Sequence, residues 1–103
     1  MTFDEYQRQA VTTAIYKTEH KVTYPAMGLA NEAGEVLGKV KKIMRDGVYN
    51  RDDIAKEVGD VLWYAAALCR DLDVSMSEVA QMNLDKLKDR QERGVLTGNG
   101  DNR

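Results

Sequence analysis

Residues 29–38 read LANEAGEVLG, and residues 54–63 read IAKEVGDVLW. The two stretches align at a constant offset of about 25 residues, too short an array for a solenoid but long enough for two equivalent helices. Ala30 matches Ala55, Glu32 matches Glu57, Gly34 matches Gly59, Val36 matches Val61 and Leu37 matches Leu62, while Glu35 stands against Asp60. Wound at roughly 100° per residue, Leu29, Val36, Val40 and Ile43 make one apolar stripe, and Ile54, Val61, Ala65 and Leu68 make its counterpart. Each helix then carries its acidic pair on the same flank of its stripe. Helices packed through these stripes can bring Glu32, Glu35, Glu57 and Asp60 together at the border between core and solvent.

The rest of the chain reads as helix on either side of this pair. A first helix is predicted from the Thr2-Phe3-Asp4-Glu5 capping box to about Thr18. His20 to Tyr24 is a polar link into a second helix, with Pro25 in its first turn and Asp46-Gly47 at its end. The third helix opens near Asn50, where Asp52 and Asp53 oppose the positive end of the dipole, and runs to Leu72. Ser75-x-x-Glu78 is a second capping box, opening a fourth helix that stops at Gly94. The expected architecture is therefore all-α, a four-helix bundle forming one domain over residues 1–94. The Gly/Asn-rich tail, residues 95–103, is flexible on composition unless a ligand or partner subunit orders it.

Composition bounds the function. One proline and 31% charged residues in 103 suit a single helical domain, and a net charge of −2 argues against coating nucleic acid. The longest apolar run, Val61 to Cys69, is about half what a bilayer crossing needs, and the amino terminus lacks a secretory layout. A soluble, cytoplasmic protein with no membrane partner is the expectation. Cys69 is the one cysteine, so neither an internal disulfide nor a multi-thiolate zinc site is available. His20 is the one histidine, which excludes the paired Glu-x-x-His ligands of a di-iron bundle and leaves oxygen as the main metal donor. A domain this small has a modest core, so a homodimer or homotetramer is expected. Trp63 lies opposite its helix's apolar stripe, beside Gly59 and with Gly34 at the matched place on the other helix; the small residues suggest close helix approach, and the Trp63 face is read as a subunit contact.

Four clustered carboxylates repel unless they take up protons or a cation neutralises them, and all-oxygen ligation suits Mg²⁺ or Mn²⁺. The plainer alternative pairs Glu35 with Lys39 at i,i+4 and Glu57 with Lys56, as surface decoration.

The spacing Glu-x-x-Glu, a gap, then Glu-x-x-Asp is present as Glu32-Ala-Gly-Glu35 and Glu57-Val-Gly-Asp60. With the flanking GLANEAGEV and IAKEVGDVLWY, the Asn83-x-x-Lys86 element and the closing Gly-Asp-Asn-Arg, it resembles the MazG-type nucleoside triphosphate pyrophosphohydrolases of the all-α NTP pyrophosphatase superfamily. The likeness covers most of the chain from about Tyr24 and little of the first helix. It implies Mg²⁺-dependent cleavage of an NTP or dNTP between the α and β phosphorus atoms, giving a monophosphate and pyrophosphate. It also implies that Glu32, Glu35, Glu57 and Asp60 are the metal ligands, that Glu32 or Glu35 also handles the attacking water, and that the protein is an oligomer, often with sites lined by more than one chain.

Asn83, Lys86, Arg90 and Arg93 share one stripe of the fourth helix and, with Lys39, Asn102 and Arg103, are candidate phosphate contacts. For Arg93 a solvated basic end opposing the dipole is the favoured reading, and Lys39 equally suits a salt bridge to Glu35. Tyr16, His20, Tyr24 and Trp63 are candidates for stacking on a nucleobase, with core or interface as the ordinary role of each. Both clearance of noncanonical nucleotides and adjustment of nucleotide pools fit. The competing functions are a preference narrowed to dUTP or another pyrimidine, a helical assembly adaptor whose acids only solubilise it, and a nucleotide sensor that binds without cleaving.

Overall fold

The computed structural model describes all residues, Met1–Arg103. It contains four α-helices and no strand: α1 Phe3–Ala10, α2 Thr23–Asp46, α3 Arg51–Asp71 and α4 Met76–Glu92, with short 3-10 turns at Val11–Thr13 and Thr18–His20. The long α2 and α3 form an antiparallel hairpin that dominates the packing. Three of the four helices open on the expected side-chain caps, with Thr2, Asn50 and Ser75 accepting from the N–H groups of Glu5, Asp53 and Glu78. Gly47 and Gly94 close α2 and α4 in the left-handed conformation that a residue without Cβ adopts at least cost.

The first helix is shorter than predicted, ending at Ala10 rather than near Thr18. The cause lies in Val11-Thr12-Thr13. The hydroxyls of Thr12 and Thr13 donate to the carbonyls of Gln9 and Ala10, at 2.6 and 2.8 Å, and compete with the helix ladder. The Trp63 indole N–H also donates to the Ala10 carbonyl, at 3.1 Å, and to Thr13 Oγ1 at 2.8 Å. Trp63 thus anchors the end of α1 within the same chain. This corrects its reading as a subunit contact: the face opposite the α3 stripe is covered by α1. Gln7 and Asp4 complete the docking of α1, Gln7 by bonding Ala66, Val74 and Met76 backbone groups and Asp4 by accepting from Ser77 N–H.

The tail is also folded. Asp101 accepts from Lys86 Nζ at 2.7 Å and from the Arg90 guanidinium, and the Arg103 guanidinium donates to the carbonyls of Val95, Leu96 and Gly100. Arg103 satisfies three backbone acceptors at once, which composition alone does not reveal. Arg90 becomes one of only six buried residues in the chain.

Of the other five, Ala10, Ala66 and Met76 make a thin core where α1, α3 and α4 meet, while Ala67 is buried on α3 and Pro25 in the first turn of α2. The radius of gyration is 16.3 Å, against about 13 Å for a compact domain of this length. The accessible surface is 7630 Å², against about 5,800 Å² for a compact monomer of this mass. Leu37, Val40 and Met44 on α2, and Met82, Leu84 and Leu87 on α4, stand exposed. No helix is long and apolar enough to cross a membrane.

Candidate active site

The α2–α3 hairpin brings three of the four predicted acids together. One carboxylate oxygen each from Glu32, Glu57 and Asp60 lies within 4.8 Å of the others. Glu57 and Asp60 are one turn apart on α3, and Glu32 meets them from α2, which packs along α3 in the hairpin. Glu35 is exposed and stands outside this triad, but its charge still reaches Glu32. Partial burial first, then the charges of Asp60, Glu57 and Glu35, hold the Glu32 carboxyl above its ordinary value of 4.5. No lysine or arginine pairs with the triad, and neither the Glu35–Lys39 nor the Glu57–Lys56 ion pair forms. Such a set of oxygen donors fits a hard divalent cation in both charge and ligand type.

Tyr64 borders the triad, and the sequence reading did not single it out. Burial first, then Tyr24, then the charges of Glu32 and Asp60 raise its hydroxyl above the ordinary 10.0. Its ring occupies the space over Gly28, where a Cβ would sit 2.1 Å from Tyr64 Cε1. The signal was present: Tyr64 follows Asp60 by four residues and Glu57 by seven, on one face of α3, and Gly28 precedes Glu32 by four on α2. Gly34 and Gly59, read as points of close helix approach, have open space around them. Tyr6 of α1 also lies beside the cluster, its hydroxyl raised by burial and then by Asp60.

All four aromatic candidates line one cavity of 330 Å³, with Tyr16, His20, Tyr24 and Trp63 joined by Thr13 and Lys17. Tyr16 stacks on Tyr24 at 4.8 Å between centroids, Tyr24 tilts against Tyr64 at 6.2 Å, and Trp63 meets Tyr64 edge-on at 4.9 Å. A ladder of rings therefore connects the cavity to the acidic triad.

The predicted phosphate contacts lie elsewhere in the single chain. Lys39 lines a cavity of 310 Å³ at the α2–α3 turn with Lys42, Asn50 and Asp53. Asn83 is exposed on α4. Lys86 and Arg90 hold Asp101, Arg93 holds Asp89 and the Arg103 carbonyl oxygen, and Arg103 is engaged by the tail. None of them bonds to the triad.

The geometry agrees with a comparison of the sequence with known families, in which residues 18–95 match the MazG nucleotide pyrophosphohydrolase domain. The chain belongs to the MazG family. Its MazG segment contains both acidic motifs, the aromatic cavity from Thr18 onward and all of α4, leaving out α1 and most of the tail. The chain is also similar to the Gene 37 protein of Mycobacterium phage L5, with 50% identity over 114 aligned positions covering 100% of both chains. No solved structure matches. MazG membership supports a nucleotide pyrophosphohydrolase type of enzyme and a divalent metal at the acidic group.

Proposed function

We propose that this MazG chain hydrolyses nucleoside triphosphates, ribo or deoxy, to the monophosphate and pyrophosphate, using Mg²⁺ or Mn²⁺ held by Glu32, Glu57 and Asp60. The observation that carries the reading is the triad itself: three carboxylates from two helices share one small volume with no basic side chain to neutralise them. A bound divalent ion supplies charge neutralisation for the polyphosphate and orients its α-phosphorus. Glu35, one turn along α2 from Glu32, adds its charge to the set, and Glu32 or Glu35 accepts the proton of the attacking water. The cavity formed by Tyr16, His20, Tyr24 and Trp63 seats the base, and the Tyr24–Tyr64 contact sets the distance from base to phosphates. Lys39, Asn83, Lys86, Arg90 and Arg103 contact phosphate oxygens, Lys86 and Arg90 after Asp101 yields to substrate and Arg103 after it leaves the tail carbonyls.

The working unit is a homodimer or homotetramer. It is supported by the surface excess of roughly 1,800 Å² per chain over a compact monomer, about 3,600 Å² across a pair, which lies in the range of an obligate interface. The exposed apolar residues of α2 and α4 mark the surfaces that would be covered. In such an assembly the basic stripe of α4 serves the triad of a neighbouring copy. This is also how Asn83 and Lys86, which make no bond to the triad of their own chain, become phosphate ligands.

The test is a panel of NTPs and dNTPs incubated with Mg²⁺, with products identified by chromatography. Monophosphate and pyrophosphate, lost on Glu57→Gln, are the expected result. Diphosphate and inorganic phosphate, or equal activity in Glu57→Gln, would refute it.

A further inference from the structure

Segment 14–22 forms the outer wall of the aromatic cavity, and only one 3-10 turn supports it locally. Its position is set from a distance by the last residue of α3. The Asp71 side chain is fully buried, with 0% of its surface exposed. Asp71 Oδ2 accepts from the Tyr16 hydroxyl at 2.6 Å and from the Val22 N–H at 3.0 Å, and Oδ1 accepts from Arg70 Nε at 2.9 Å. Arg70 donates to the Tyr16 oxygen at 3.1 Å and lies 5.8 Å over the Tyr16 ring.

The point that Asp71 grips is strained. Val22 has φ 67° and ψ −54°, and Thr23 N–H donates to the Lys21 carbonyl at 2.7 Å across it. This is a γ-turn of the rare, strained kind, built on a β-branched residue where glycine would be at ease. Backbone conformations of this sort persist only where surrounding groups over-determine them, and they concentrate at ligand sites. Here the compensation is the carboxylate, which also faces the positive end of α2. An acid in the last turn of α3 opposes that helix's own dipole, so nothing local to α3 favours it.

We propose that Asp71 is a positioning residue for the aromatic cavity. By fixing the Tyr16 hydroxyl and the Val22 turn to the end of α3, it keeps the Tyr16 ring stacked on Tyr24 and the cavity open to a nucleobase. This rests on the reading that the cavity seats the base. Asp71 touches neither substrate nor metal, and its action is confined to affinity for the nucleoside part.

The experiment compares wild type, Asp71→Asn and Tyr16→Phe, the second variant keeping the ring and Asp71's bond to Val22. Three readouts are taken: amide exchange across residues 14–22, quenching of Trp63 emission by nucleoside monophosphates, and KM against kcat for a triphosphate. Both variants are expected to exchange faster in that segment and to bind monophosphate about tenfold more weakly, the worth of one charge-assisted hydrogen bond. KM rises by a similar factor, and kcat stays within about twofold. Unchanged monophosphate affinity in Tyr16→Phe, or a fall in kcat at constant KM, would overturn the proposal, and so would a wild type whose Trp63 does not respond to nucleotide. If Asp71→Asn does not fold, Tyr16→Phe decides alone. A wild type that binds monophosphate but releases no pyrophosphate refutes the reaction and leaves Asp71's role to the binding readout. Turnover with monophosphate affinity unchanged in the variants refutes the Asp71 role alone.

Discussion

Glycine-to-alanine changes along α2 should have opposite signs depending on position, and Gly28→Ala is the informative one. Alanine in a helix interior is favoured over glycine by about 1 kcal/mol through propensity alone. At position 28, however, the new Cβ would lie 2.1, 2.4 and 2.5 Å from Cε1, Cδ1 and Cζ of Tyr64. Ordinary carbon contact is about 3.5 Å, so the ring must retreat by about 1.4 Å. The ring cannot do so freely, because Trp63 meets it edge-on and Tyr24 lies against it. Overpacking of this kind costs about 1–3 kcal/mol, which outweighs the propensity gain and leaves a net loss near 1 kcal/mol. For a domain of this size that lowers Tm by about 4–8 °C, measured by circular dichroism. Gly34→Ala, with nothing near its Cβ, is the internal reference and should raise Tm. A Gly28→Ala variant as stable as wild type would refute the packing of Tyr64 over α2, and with it the ring ladder beside Glu32.

Glu57→Gln removes one of two like charges one turn apart on α3 and should stabilise the metal-free protein by about 0.3 kcal/mol in thermal melts, while destroying activity. Trp63→Phe deletes the donor shared by Ala10 and Thr13 and should cost about 1.5 kcal/mol, seen as a lower urea midpoint and faster exchange in α1. The pH dependence has two arms. Glu32 is raised above 4.5 by burial and neighbouring carboxylates, so its contribution to stability is complete below 4.5 and is lost as pH rises through its folded value. At Asp71, burial pushes upward but the bonds from Tyr16, Val22 and Arg70 outweigh it, leaving the carboxyl below 3.8, so its contribution is present above 3.8 and lost on acidification. Metal-free Tm should therefore peak in mildly acidic solution, and added Mg²⁺ should remove the decline on the alkaline side.

Much of this was legible in the sequence because it is written in local periodicity. The repeated acidic motif, the three side-chain caps and the ends of α2, α3 and α4 all follow from residues within a few positions of each other. What was missed depends on long-range partners. The end of α1 is pinned by Trp63, some fifty positions away, on top of the local Thr12 and Thr13 hydroxyls, and the tail is folded by Arg103 reaching back to the carbonyls of Val95, Leu96 and Gly100. Asp71 carries no motif; its importance comes from meeting Tyr16 and Val22 across the fold. The matched positions of Gly34 and Gly59 suggested close approach, whereas the tight contact falls at Gly28, because ring placement depends on the tertiary path of Tyr64.

The central claim is that the shared volume between Glu32, Glu57 and Asp60 holds a divalent cation. Titration of Mn²⁺ into wild type and Glu57→Gln, read by electron paramagnetic resonance of the free ion, tests it most directly. Saturable binding by the wild type, competed by Mg²⁺ and abolished in the variant, is predicted. Equal Mn²⁺ uptake by both proteins, or none by either, would contradict it.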